Sequence, residues 1–178
     1  MHGWLHERNT EVPPEAQRRL LMRAVDEIEA VTGRRLTGYR SPSWAFGDGT
    51  LPLRREPAFL YDSGMMGGEE PHEILQDGEP TGLFEIPVEW MRDDAMYDPR
   101  SGPANPMDVF ETWRMEFDLA YEEGGLFQLT MHPRTSGHRS RVAMLDRLLT
   151  NTKSKPGVWF ATHEAVARVA AERLSADD

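Results

Sequence analysis

Apolar residues recur at helical spacing near the start of the chain, where Ala16, Leu20, Ala24, Ile28 and Val31 form a stripe that Leu21 and Val25 widen. Pro13 and Pro14 suit the first turn of that helix, where a missing N–H costs nothing, and Gly33 is a natural stop. A short strand is expected over 36–39, running into the loop RSPSWAFGDG. Residues 59–61 and the run LFEIPVEW read as further short strands. Between them DGEPTG is turn chemistry, with Gly78 and Gly82 tolerating positive φ. A second helical stripe comprises Val109, Phe110, Trp113, Phe117, Ala120 and Tyr121, and Gly124 and Gly125 close it. LFQLTM then predicts a strand ending at His132. Val142, Leu145, Leu148 and Leu149 predict a helix that stops near Pro156 and Gly157, and VWFA predicts a last short strand. Thr162 can cap a final helix through Leu174, with Glu164 at its positive end. Strands alternating with helices imply a parallel α/β architecture. The stretch 92–106, which carries Pro99, Gly102, Pro103 and Pro106 and no apolar period, predicts a long loop.

Composition narrows the class. At 178 residues the chain is expected to form one domain over 1–178, and 39% hydrophobic with 28% charged residues is ordinary for a globular protein. Twenty Lys and Arg against 30 Asp and Glu give a net charge of −10. That balance repels phosphate backbones and anionic lipid, so nucleic-acid and membrane partners are not expected. The absence of cysteine excludes disulfides and thiolate metal sites. No stretch approaches the roughly 20 apolar residues of a membrane span, and the residues given first lack the basic start and apolar stretch expected of a signal peptide. As given it is expected in the cytoplasm; a missing N-terminus would leave export open.

Three features can carry chemistry. The first is His2-Gly3-Trp4-Leu5-His6, whose histidines at i and i+4 share a face if that turn is helical; imidazole is a common metal ligand. The alternative is a pair of exposed polar residues. The second is Tyr39-Arg40-Ser41-Pro42-Ser43-Trp44, where a guanidinium at a strand end can hold a carboxylate in a two-pronged hydrogen bond. A structural ion pair beneath an aromatic plug is the plainer reading. The third is Gln128-Leu129-Thr130-Met131-His132-Pro133, which delivers His132 to a strand tip as a general acid or base, or as a packed core histidine. His72, His138 and His163 read as surface residues or caps.

In this order the three features resemble the polysaccharide deacetylase family, also called the NodB-homology or carbohydrate esterase type-four family, and most of all its peptidoglycan deacetylase and allantoinase-like branch. HGWLHE is similar to the family's second motif, GYRSPSW to the third, EIPVEWMRDD to the fourth and LTMHP to the fifth. The resemblance implies a distorted (β/α) barrel and hydrolysis of a non-peptide C–N bond, with acetyl groups removed from N-acetylated sugars. It implies a divalent metal, zinc in most of the family, on His2 and His6; Arg40 as the orienter of a catalytic aspartate; and His132 as the acid that protonates the leaving nitrogen. Tyr39, Trp44, Trp90, Asp93 and Asp94 fall where the family lines its substrate groove.

One motif has no counterpart. The family's first motif lies upstream of the His pair and supplies a metal-ligating and a base aspartate, whereas only Met1 precedes His2 here. The expectation is therefore an incomplete barrel missing its first strands, with weak metal binding and impaired activity. Open strand edges in such a barrel predict self-association, so a homo-oligomer is left open. A non-catalytic glycan-binding remnant and an allantoinase-like cyclic-amide hydrolase are the competing readings.

Overall fold

The computed structural model describes residues 1–47, 49–98 and 104–177. In chain order its elements are α1 (Pro14–Thr32), β1 (Gly38–Tyr39), α2 (Thr50–Arg55), β2 (Tyr61–Asp62), β3 (His72–Gln76), β4 (Glu79–Glu85), α3 (Pro106–Glu123), α4 (Pro133–Ser136), α5 (Arg139–Lys153) and α6 (His163–Asp177). Short 3-10 turns lie at Asn9–Glu11, Pro42–Trp44, Trp90–Arg92 and Asp94–Tyr97. The chain divides into two compact units: Met1–Pro87 with Ala161–Asp178, and Val88–Phe160. Among the described residues no helix is long and apolar enough to cross a membrane.

In the first unit the sheet runs β1-β2-β4-β3. β1, β2 and β4 are parallel, and Tyr39, Asp62 and Glu85 stand level at their C-terminal ends. β3 returns antiparallel to β4 through Asp77 and Gly78, both at positive φ (55° and 85°), the backbone that a tight two-residue hairpin demands. Gly82 also takes positive φ, as its sequence suggests, but within β4, so the strand starts well before the LFEIPVEW run and stops at Glu85. His72 accordingly opens a strand instead of lying in a loop.

Helix α1 starts at Pro14 and ends on Gly33 at φ 64°, whose N–H reaches Glu29 O at 2.8 Å. Its buried line is Leu21, Ala24 and Val25, and Leu21 and Val25 join Tyr39, Phe59, Ile74 and Leu83 in this unit's core. Val31 is 84% exposed although seven residues bring it back almost to the azimuth of Ala24, because the last turn of α1 stands in solvent. Gly38 has no freedom to vary: a Cβ there would stand 2.2 Å from Cζ of Tyr61.

In the second unit α3 packs on α5, and Val109, Phe110, Trp113, Met144 and Leu148 close a dry core with Tyr97. Asn105 Oδ1 accepts from Met107 N at 3.0 Å, Pro106 fills the first helical position, and Gly124 at φ 71° ends the helix. The Trp113 indole N–H donates to Met91 O at 2.7 Å, which satisfies the one polar atom of this buried ring. The expected strand LFQLTM shrinks to a single bridge, Thr130 beside Asp93. VWFA forms no strand, and Trp159 and Phe160 are 58% and 56% exposed. An apolar run becomes a strand only where a neighbour offers a ladder, and periodicity carries no information about the neighbour. The expected 92–106 loop is partly ordered by the turns at Trp90–Arg92 and Asp94–Tyr97, while its residues 99–103 lie outside the described residues.

Candidate functional site

Arg40 follows the tip of β1, Ser63 follows the tip of β2, and Glu85 is the tip of β4. The C-terminal edge of a parallel sheet is where α/β proteins gather chemistry, since loops there can converge without interrupting the ladder. Arg40 Nε donates to Ser63 O at 2.9 Å and its Nη2 to Ser63 Oγ at 2.7 Å, while the same Nη2 lies 3.1 Å from His163 Nε2. The Ser63 hydroxyl donates a hydrogen bond to Ile86 O at 2.7 Å, tying the three strand tips together.

Below this lies a buried ionic layer that the sequence reading did not identify. Arg54 Nε donates to Asp62 Oδ2 at 3.0 Å, its Nη2 donates to Ser41 Oγ at 3.1 Å, and its guanidinium stacks 3.4 Å from the centroid of Tyr39. Asp62, Glu85 and Arg54 are essentially inaccessible. Burial raises the pKa of the Asp62 carboxyl, opposed by Arg54. Burial first, and the charge on Asp62 second, push Glu85 up to about 8. Its Oε1 accepts from Met65 N at 2.9 Å, and its buried Oε2 makes no hydrogen bond among the described residues. A protonated carboxylic acid is the state that such an oxygen tolerates.

The His pair lies in an irregular turn, not the helical one that would have aligned it, with His6 at φ 59°. The two rings nonetheless meet edge to face, their centroids 5.0 Å apart. His2 Nδ1 is 2.9 Å from Arg40 O and must donate to it, which leaves the Nε2 lone pair available. Desolvation pulls the His2 pKa below its ordinary value, opposed by the bond to the Arg40 carbonyl. Two neighbouring imidazoles, one fixed in tautomer by a backbone carbonyl, fit a first-row divalent ion. Among the described residues no third histidine or carboxylate completes a three-residue group with them.

In the second unit Asp94 is fully buried and holds His132 twice, through Nδ1 on Oδ1 and the backbone N–H on Oδ2, each at 2.7 Å. The Ser136 hydroxyl adds a third bond to Oδ2, also 2.7 Å. His132 ends an extended segment, as its sequence predicts, and caps the start of α4, with 41% of its side chain exposed. Asp93, Asp94 and His132 bring oxygen and nitrogen atoms within 4.8 Å of one another, the spacing of a metal cluster. Both oxygens of Asp94 are already committed to His132 and Ser136, however, and Asp93 Oδ1 caps Ala95 N at 2.6 Å. This donor set fits a hydrogen-bonded dyad better than an ion.

The residues expected to line a groove divide. Trp90 is 59% exposed, and Trp44 is half-buried in a turn of two successive left-handed residues, Ser43 at φ 54° and Trp44 itself at 52°. Tyr39 departs from the expectation: at 2% exposure its ring is core, sandwiched between Phe59 and Arg54. Asp93 and Asp94 are buried as well, so both support other groups and do not offer a surface. His163, expected at the surface or as a cap, is partly buried against Arg40 and Tyr61, and burial first, with Arg40 second, pushes its pKa down to about 4. Ser63, Ser136, Arg54 and Glu85 were missed. A polar residue at or just after the end of an apolar run was the available signal for Ser63 and Glu85.

No family model matches the chain. It is 26% identical over 197 residues to a peptidoglycan deacetylase of Helicobacter pylori, a match that takes in 93% of this chain and 67% of that protein. Among solved structures, a Mycobacterium smegmatis protein assigned to the polysaccharide deacetylases superposes with a TM-score of 0.87 at 31% identity, over 97% of this chain and 62% of that one. Puue allantoinase superposes with a TM-score of 0.84 at 26% identity, over 94% of this chain and 56% of that one. The chain thus spans about three fifths of these two solved chains. The resemblance read from the motifs is borne out, and so is the α/β fold it implied.

Proposed function

We propose that this relative of the polysaccharide deacetylases serves metal-dependent hydrolysis of a non-peptide C–N bond, the removal of acetyl groups from N-acetylated sugars. The observation that carries the reading is the bond between Asp94 and His132 Nδ1, which leaves Nε2 of a half-exposed ring as the nitrogen that can deliver a proton. An amide cannot readily expel an unprotonated amine, so a positioned imidazolium is the group that C–N cleavage needs. Asp94 fixes the ring and its tautomer and stabilises the charged form during transfer. His2 and His6 would hold a divalent ion, zinc among the first-row ions that imidazole suits, and such an ion would supply Lewis-acid chemistry at the amide. Arg40 orients a carboxylate, and Trp90 and Trp44 offer aromatic faces to a sugar. With no carboxylate ligand beside the pair among the described residues, the affinity for metal is low and activity is correspondingly impaired.

Acetate release from N-acetylated glycan strands tests this, with the ion added and then removed by chelation. Release that needs the ion, and that falls by roughly 100-fold or more in His132→Ala, is the expected result. Glycan binding with no release at any metal concentration would replace it with a non-catalytic binding role. The likeness to Puue allantoinase supports a second reading, ring opening of a small cyclic amide, in which allantoin is consumed and no acetate appears. Self-association is part of the same proposal and is read by light scattering.

A further inference from the structure

Arg40 sits on a long stem with many rotamers, and a guanidinium that orients another group works only if its own plane is fixed. Ser63 supplies two of its bonds, at Nε and Nη2. Another is to an imidazole that no motif singled out, His163 Nε2, 3.1 Å from Arg40 Nη2. Guanidinium has donors and no acceptor, so the ring nitrogen must be the acceptor, and His163 is therefore neutral with its proton on Nδ1. His163 is itself braced. Its ring stacks on Tyr61 with centroids 5.7 Å apart and planes at 27°, and Tyr61 lies flat only because residue 38 has no Cβ. Helix α6 is anchored beside it by Thr37 Oγ1, which donates to Glu164 Oε2 at 3.2 Å.

We propose that His163 is a positioning residue for Arg40, an acceptor that shares Nη2 with Ser63, helps to fix the guanidinium plane and ties the start of α6 to the chemistry at the strand tips. Its value for catalysis rests on the deacetylase reading given above, but the lock itself does not. The charged and titratable groups facing the ring are Arg40, Tyr61 and the α-ammonium of Met1, with Glu164 next to it on α6. Two of these are cations, which oppose a second proton on the imidazole. Acid that protonates Nε2 breaks the lock.

Two substitutions in the full chain separate the acceptor from the ring. His163→Phe keeps the stack on Tyr61 and removes the acceptor, whereas His163→Gln restores an acceptor and removes the ring. The signals of the Arg40 Nη2 protons in nitrogen-edited NMR, with their exchange rate against water, read the lock directly, since Nη2 is the nitrogen that meets His163. We expect slow exchange in the wild type and in His163→Gln, and at least tenfold faster exchange in His163→Phe. In the wild type the same acceleration should accompany acidification through about pH 4, together with titration of the His163 ring. Acetate release should fall about tenfold or more in kcat in His163→Phe with KM within twofold, and return in His163→Gln. An Arg40 exchange rate unchanged in His163→Phe, or unchanged through the titration of His163, overturns the inference. A wild-type chain that releases no acetate sinks the deacetylase reading alone, because the exchange rates still decide the lock.

Discussion

The two units bury polar chemistry by opposite means. In the first, charge is counterpoised: Arg54 against Asp62, a raised Glu85 beside them, Arg40 over Ser63 and His163. In the second, a core around Trp113 lies beside buried Arg92, Asp93 and Asp94, and Asp94 is satisfied by three hydrogen bonds from His132 and Ser136. A counterpoised layer is expensive to interrupt, since deleting one partner strands the other in a low-dielectric interior. A carboxylate held by several independent donors loses only a fraction of its support when one is removed. The first arrangement couples the strand tips into one block. The second presents a single ring with one nitrogen fixed and the other available.

The most damaging test of this contrast is Arg54→Ala, which leaves Asp62 buried without its cation. A loss of roughly 3–5 kcal/mol is expected by chemical denaturation, with faster amide exchange at β1, β2 and β4. Replacing the pair together, Arg54→Met with Asp62→Asn, should recover a substantial part, because no uncompensated charge then remains. A cost under about 1 kcal/mol for Arg54→Ala would mean that water reaches the pair and that the layer is not the dry block described.

Next in size is a pH dependence that only the first unit predicts. The folded pKa of Glu85 lies near 8, above its ordinary value of 4.5, so the folded state holds a proton that the unfolded chain releases. Its contribution is complete below about 4.5 and is lost as pH rises through 8. His163 has the reverse sign, since its folded pKa near 4 lies below 6.5, so its protonation in the unfolded chain erodes stability as pH falls from 6.5 towards 4. Between 4.5 and 6.5 the two slopes oppose each other. From 6.5 to 8 the opposition from His163 is gone, but the Met1 α-ammonium, whose pKa burial pulls below 8.0, takes its place. The Glu85 decline of up to about 1.4 kcal/mol per pH unit is therefore read as the difference between wild type and a Glu85 variant. Glu85→Gln keeps the shape of the protonated acid and should flatten this limb. An unchanged limb in that variant would assign the decline to another group.

How much of this was readable in advance follows from what each feature depends on. Helices α3 and α5 and the stops at Gly33 and Gly124 were legible because spacing, caps and glycine act within a turn or two. The strands were legible as locations and not as lengths: 59–61 became Tyr61–Asp62, and VWFA found no partner. Of the residues singled out, position was legible for four: His2 and His6 meet ring to ring, Arg40 follows the tip of β1, and His132 precedes α4. The site was opaque where a residue matters through a distant neighbour. Nothing local to Thr162-His163-Glu164 reveals that its imidazole meets Arg40, 123 positions earlier in the chain. Tyr39 misled for the converse reason, since alternation along so short a strand does not say which face is covered, and its ring turned inward under Arg54.

The smallest expected effect sharpens the comparison most, because it applies one chemical change to both units. Ser41 Oγ accepts from two buried donors, Arg54 Nη2 at 3.1 Å and Asn9 Nδ2 at 3.2 Å, so Ser41→Ala leaves both unpaired. Ser136 Oγ is a donor to Asp94 Oδ2, which keeps the His132 backbone N–H when Ser136 becomes Ala. Removing an acceptor shared by two buried donors, one of them charged, should cost about 2–3 kcal/mol, whereas removing one of several donors to a carboxylate should cost about 1 kcal/mol. The order is the informative quantity, measured by urea denaturation of both variants under one condition. If Ser136→Ala proves the costlier, the Asp94 dyad is the tightly coupled element, and the counterpoised layer of the first unit has slack that its hydrogen bonds conceal.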